Sequence, residues 1–291
     1  MNIKDRIDLS LDIFRGMNNI TWPSTYQEPD YVAKLVTTLP NVISHSLRTL
    51  MPGRTISVGG AFVHQKPLAN FVKDPKKKSP ELGDLLVVCR EKRACGYVCN
   101  ALLLQAKCVD DVMKAYVPMD HQFILYSEWP LFEYKRAGNL NGVRRGVGPK
   151  TITQGAQYLL IDKSDPAKMF TATVNNPLEG TTHLAFALAS VIAFDRGRTF
   201  RCNHPRDGWS RMICDLLTLT ANSAFNRRKA GYIDKSRFAG DRVFNLFMNR
   251  NNNYYNVPVI ENEDDNGDYS GVSVLCVDLG DAEEQQKPEM D

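Results

Sequence analysis

One grouping of residues in this chain has types and spacing suited to chemistry. Asp84 opens an apolar run, Asp84-Leu-Leu-Val-Val-Cys89, and Gln105-Ala-Lys107 closes a second, Tyr97 to Ala106. Two strands joined by a turn at Glu91–Gly96 pair antiparallel, so the start of the first lies beside the end of the second. Gln105 and Lys107 are two apart and leave a strand on the same face. A carboxylate, an amide oxygen and an ammonium then converge. The two oxygen groups are hard donors of the kind Mg²⁺ (or Mn²⁺) accepts while keeping several waters. The ammonium can hold or deprotonate an attacking water, or offset charge growing on a phosphate. Glu81, three residues before Asp84, and His64 are auxiliary candidates. Taken singly, Asp84 after Gly83 reads as a turn residue, and Gln105-Ala-Lys107 as a strand end reaching solvent. Their order and spacing together favour a site.

The elements that must position these residues are legible in outline. Residues 1–39 form an N-terminal arm, of which 1–30 read as irregular or partly helical. Within and beyond it, Tyr31–Thr38 and Asn41–Met51 read as two helical pieces broken by Pro40. Val42, Ile43, Leu47 and Leu50 share one helical face. Thr55–Gln65 is β-rich. The continuous apolar runs at 84–89 and 97–106 suit strands buried on both faces. Val109–Tyr116 reads as a helix, Gln122–Tyr126 and Gln157–Asp162 as strands. Thr181 or Thr182 caps a helix running to about Asp195. A longer helix runs from about Asp207 to Gly231, with Trp209, Met212, Ile213, Leu216 and Leu217 on its apolar stripe. The expected class is α/β: a central mixed sheet flanked by helices, with a core at 40–150. A mostly helical extension or second subdomain follows at 151–260, then an acidic tail at 261–291.

Charge and composition narrow the function classes. With 291 residues, 43% hydrophobic and 24% charged, the chain is globular and long enough to bury a core unaided. No apolar run reaches the ~18–20 residues of a membrane span. Seven cysteines at irregular spacings, with no Cys-x-x-Cys, point to a reducing, cytoplasmic setting. Cys202, His204 and Cys214 match no standard zinc spacing. Walker, dinucleotide, Gly-x-Ser-x-Gly and His-Glu-x-x-His motifs do not occur. Residues 261–291 hold eleven acids and one lysine, net −10, whereas the preceding 260 residues are net +13. A basic body favours a polyanion such as DNA. Lys76, Lys77, Lys78, Arg144 and Arg145 are the candidate backbone contacts, each group reading equally as solvated surface. The acidic tail either keeps the chain soluble or lies over the basic body, with a strand at Val272–Leu279 able to join a sheet edge.

The segments His64-Gln-Lys-Pro67, Glu81-Leu-Gly-Asp-Leu-Leu86 and Leu102-Leu-Leu-Gln-Ala-Lys107 resemble the PD-(D/E)xK, or restriction-endonuclease-like, nuclease superfamily. The likeness is to its Gln-x-Lys variant, as in Mrr-type restriction enzymes and related antiphage effectors, and it covers roughly residues 40–126. It implies a helix, three strands and a helix, with the acid on the second strand and the x-Lys pair on the third. It further implies that Asp84 and Gln105 serve as metal-site residues and Lys107 as the catalytic lysine of a Mg²⁺-dependent deoxyribonuclease. A restriction or antiphage role, and control by a protein partner or a homo-oligomer, are expected on the same ground. Two departures stand out. Residues 40–51 carry no acid where many members have one on the first helix, Glu28 and Asp30 lying before it. Gln105 also stands where an acid is usual. A non-catalytic nucleic-acid- or partner-binding protein on the same fold is the alternative.

Overall fold

The computed structural model describes residues 1–22, 27–63, 67–72, 79–148, 154–201, 205–227 and 271–282. Along the chain come α1 (Ile3–Asn18), α2 (Glu28–Leu50), β1 (Arg54–Ala61), β2 (Leu68–Phe71), β3 (Leu85–Arg93) and β4 (Gly96–Val109). Then follow α3 (His121–Glu128), β5 (Phe132–Lys135), β6 (Arg144–Arg145), β7 (Ala156–Asp162), β8 (Met169–Ala172) and β9 (Thr182–His183). The last elements are α4 (Leu184–Ile192), β10 (Arg198–Phe200), α5 (Gly208–Arg227) and β11 (Ser273–Ala282). The main sheet is mixed and eight-stranded, in the order β1-β11-β3-β4-β7-β8-β9, with β10 pairing β4 at Cys99–Ala101. A smaller antiparallel sheet, β2-β5-β6, stands apart from it. The protein is thus α/β with a large mixed sheet. Among the described residues no helix is long and apolar enough to cross a membrane.

Alternation along the central strands makes two cores. Leu85, Val87 and Cys89, with Leu102, Leu104, Leu275 and Val277, pack against α1, α2 and α4. Leu86, Val88, Leu103, Val274 and Cys276 face α3, α5 and the small sheet. A strand that must be apolar on both faces reads as an unbroken hydrophobic run, which is why β3 and β4 are visible in the sequence.

The N-terminal arm contains a regular, capped helix, α1. Asn2 caps α1 through a 2.9 Å bond from the Asp5 amide, and Asp5 accepts in return from the Asn2 amide at 3.3 Å. Leu9, Ile13 and Met17 bury one side of this helix. Nor does Pro40 break the second helix: α2 is continuous from Glu28 to Leu50. Proline removes the amide that would bond the carbonyl four residues back, that of Val36. This carbonyl lies against Gly60 of β1. A Cβ on Gly60 would stand 1.9 Å from Val36 O, so only glycine brings strand and helix this close. The freed carbonyl therefore faces the Cα hydrogens of a neighbouring strand.

Three further expectations change. Val109–Tyr116 is not helical. Asp111 Oδ1 accepts from the Met113 amide at 2.8 Å, and the backbone of Val112 and Ala115 bonds instead to Gly180 and Leu178. Gln122–Tyr126 is helix rather than strand, because Asp120 accepts from the amides of Gln122 (2.9 Å) and Phe123 (3.3 Å) and starts α3. Among its described residues the C-terminal part is not mostly helical: β7 to β11 stand there beside two helices.

The largest change concerns the acidic tail. Its strand, β11, joins no edge. It lies inside the main sheet, antiparallel to β1 (Val58↔Val277) and parallel to β3 (Cys276↔Val88). Asp278, one of the tail's acids, is buried against Arg90 of β3, with Arg90 Nε 2.5 Å from Oδ1. Arg90 in turn stacks over Tyr97, 4.3 Å from its ring centroid. Residues 271–280 thus belong to the core, and the charge of Asp278 is not available to cover a basic surface.

Two measurements check this architecture. A chain ending at residue 270 is expected to lose its cooperative thermal transition by circular dichroism, since removal exposes the facing edges of β1 and β3. Gly60→Ala is expected to cost ~3 kcal/mol or more in chemical denaturation, well above an ordinary glycine-to-alanine change, because backbone must move.

Candidate active site

The backbone at Asp84 is held from two sides. Its amide donates to Leu104 O of β4 at 2.9 Å, and its carbonyl accepts from the Ser273 amide at the start of β11 at 3.2 Å. The antiparallel register pairs Leu85 with Leu104, which sets Asp84 across from Gln105. Both side chains leave the sheet on the face of Leu86 and Leu103, toward α3. Gly83 makes room for this approach: a Cβ there would lie 2.7 Å from Leu103 Cδ1 and 3.0 Å from Tyr126 Oη. Tyr126 donates to Leu82 O at 2.8 Å and so ties α3 to the segment entering β3.

The polar side chains form a chain of bonds. Asp84 Oδ2 accepts from the Gln105 side-chain amide and from the Ala106 backbone N–H, the latter at 2.7 Å. Oδ1 takes no hydrogen bond among the described residues. Gln105 Oε1 accepts from Gln122 Nε2 at 2.9 Å, and Gln122 Nε2 also donates to Glu81 O at 3.1 Å. Gln105 is 4% exposed, so these partners are what satisfy its amide. Lys107, two residues along β4, is half-buried and makes no ion pair among the described residues.

Burial pushes the Asp84 carboxyl from its ordinary 3.8 up to about 7. The Ala106 N–H opposes the rise, Glu81 adds to it, Lys107 opposes it, and Glu28 adds to it. Two further carboxylates and one ammonium therefore act on Asp84. Burial, and then the charge of Asp84, also raise the Tyr126 phenol, which stays neutral.

Two residues of this cluster were not singled out in the sequence. Glu28 sits in the first turn of α2 and accepts from the Cys108 amide, 3.2 Å away, one residue beyond Lys107. Because α2 runs unbroken through Pro40, Glu28 is an acid on the first core helix, at its start. The signal was Glu28-Pro29, with proline in a first helical turn. Gln122 escaped because its segment read as a strand; Asp120 as an N-cap was the available clue.

The remaining candidates are dispersed. Glu81 contributes its backbone carbonyl to the bond chain and its charge to Asp84. Arg145 is turned inward: its Nε and Nη2 lie 2.7 and 3.3 Å from Asp215, which is 3% exposed and also accepts from Tyr134 at 3.0 Å. A buried carboxylate left without its cation is costly, so this arginine fastens α5 to the small sheet and is not presented to a nucleic-acid backbone. Arg144 remains on the surface, 3.5 Å from Glu133. His64, Lys76, Lys77 and Lys78 lie outside the described residues, as do Cys202 and His204. Among the described residues no three His, Cys, Asp or Glu side chains come together to hold a metal ion. In comparisons with known proteins, no family model, curated sequence or solved structure matches the chain.

The raised Asp84 pKa has a consequence for stability. Below about pH 4 the group is protonated in both folded and unfolded chains and contributes nothing. As pH rises toward 7 the unfolded chain ionises while the folded one resists, so the fold loses stability, and above 7 the full penalty is present. Asp84→Asn keeps acceptors for Gln105 and Ala106 without the charge. In metal-free buffer it is expected to stabilise the fold at pH 8 by an amount on the order of a few kcal/mol, read as a higher melting temperature. The gain is expected to vanish near pH 4, and thermal melts across that range measure it.

Proposed function

We propose that the chain is a metal-dependent phosphodiesterase that cuts DNA, built on a restriction-endonuclease-like core. One observation carries the reading: the β3–β4 register sets Asp84 opposite Gln105, with Lys107 next on the same face and acids around them. The order α2, β1, β3, β4, α3 supports it, with acid, then amide and lysine, on successive long strands. β11 lies between β1 and β3, and the closing helix starts at His121, later than the resemblance implied.

The donor set suits a hard cation by type. Asp84 Oδ1 is open to a further partner among the described residues, the Gln105 oxygen is the second donor, and Glu28 brings a carboxylate to the same strand end. A place where burial and neighbouring acids hold a carboxyl at about 7 is one where a cation relieves repulsion. Mg²⁺ or Mn²⁺ bound there supplies charge neutralisation at a phosphate. Asp84 and Gln105 orient the group, and the β4 backbone fixes both. Lys107 positions or activates the attacking water, or offsets charge as the phosphorus–oxygen bond breaks. DNA would be gripped through its phosphates by the basic surface, which gives affinity without sequence choice. A role in restriction or antiphage defence, and control by a partner or an oligomer, rest on the resemblance alone.

A second reading has its own support. The Gln105 oxygen is engaged by Gln122, and among the described residues no three acids converge, as suits a protein that binds nucleic acid or a partner without cutting. Incubating DNA with protein in Mg²⁺ or Mn²⁺, against EDTA, separates the two. Cleavage is expected only with metal, and DNA retained uncut under every condition would favour the second. Lys107→Ala is expected to reduce cleavage at least 100-fold with an unchanged melting curve, because a half-buried strand-end lysine adds little to the core. Undiminished cleavage by this variant would place the activity elsewhere.

A further inference from the structure

We propose that Gln122 is a positioning residue that latches Gln105 with its amide oxygen turned away from Asp84, so that a divalent cation is admitted only when this amide turns over. The inference rests on the metal-site reading above and gives that site a built-in control.

The polarity of the bond chain is fixed from one end. Glu81 O is a backbone carbonyl and can only accept, so the group that meets it at 3.1 Å must be the NH₂ of Gln122. The same NH₂ lies 2.9 Å from Gln105 and can only donate, so it meets the Gln105 oxygen. The Gln105 NH₂ is then left facing Asp84 Oδ2, which accepts. Each link permits one orientation and imposes the next. In this state the amide of Gln105 turns its NH₂ to the carboxylate and offers no lone pair to a cation beside it. Swinging the oxygen round breaks the bond to Gln122. At 4% exposure Gln105 has little access to solvent, so its oxygen must exchange one specific partner for another. Gln122 is well placed to hold its ground. It lies in the first turn of α3, where Asp120 accepts from its backbone amide at 2.9 Å. Tyr126, one turn on, is bonded to Leu82 O.

The test is titration calorimetry of Mn²⁺ into the full-length wild type and three variants, each shown to be folded by far-UV circular dichroism. Gln122→Leu removes the donor, and Gln122→Asn withdraws it by one carbon should the leucine disturb the helix. Both are expected to bind Mn²⁺ about tenfold more tightly than wild type, the factor that one hydrogen bond of ordinary net strength is worth. A residue with a merely structural role cannot give this result, since losing it loosens a site. Gln105→Glu supplies an oxygen that no amide orientation withholds and reports on the metal site itself. Unchanged or weaker binding in both Gln122 variants, with tighter binding in Gln105→Glu, would overturn the latch and leave the metal-site reading standing. No Mn²⁺ binding by any of the four proteins would overturn both.

Discussion

The parallel pairing of β11 with β3 is the connection on which the rest of the molecule depends. It completes the sheet between two parts that the chain delivers separately. On one side is β1, pressed against α2 through Gly60; on the other are β3 and β4, which carry Asp84, Gln105 and Lys107. The buried Arg90–Asp278 pair sets the register of that joint, because a strand slipped by one residue would turn Asp278 to the opposite face. A buried ion pair contributes little net stability against a hydrophobic replacement, but a mispaired one is expensive, so its value here is in specifying a single alignment. Glu28, at the start of α2, accepts from the Cys108 amide near the end of β4 and so ties that helix to the same sheet.

Asp84 shows what the site costs. A carboxyl held at about 7 weakens the fold at neutral pH, and an apolar side chain there would remove the penalty. The surroundings do not relieve it fully: Lys107 and the Ala106 amide oppose the rise, while Glu81 and Glu28 reinforce it. The same strand end thus gathers acids where packing alone would exclude them. That combination of lost stability and fixed polar groups is what makes this strand end the candidate site.

How much of this was readable in the sequence follows from how local each signal is. The strands at 84–89, 97–106 and 157–162 were legible because burial on both faces leaves unbroken apolar runs, and the adjacency of Asp84 and Gln105 followed from hairpin geometry. The helix through Pro40 was not legible, since the feature that tolerates the proline is a glycine on another element. Gln122–Tyr126 is a short apolar run with no period of its own, and only the Asp120 cap distinguishes helix from strand. Val272–Leu279 was visible as a strand, but its place inside the sheet depends on β1 and β3, roughly 200 residues upstream. Arg145 read as a surface cation because nothing near it in sequence announces Asp215. The Asp120 cap aside, each miss is a tertiary contact, and Glu28 was hidden by one of them.

Arg90 and Asp278 are 188 residues apart in the chain. During synthesis at ~5–20 residues per second, the β3–β4 hairpin emerges roughly 10–40 s before the strand that must lie beside it. Through that interval the β3 edge that will bond to β11 has no partner, and neither does the facing edge of β1. The order of appearance therefore makes assembly a late event: Asp84 gains the Ser273 amide on its carbonyl only when β11 has arrived. A nascent or prematurely terminated chain carries all of Asp84, Gln105 and Lys107 without the sheet that aligns them, and its open strand edges are ready targets for a chaperone.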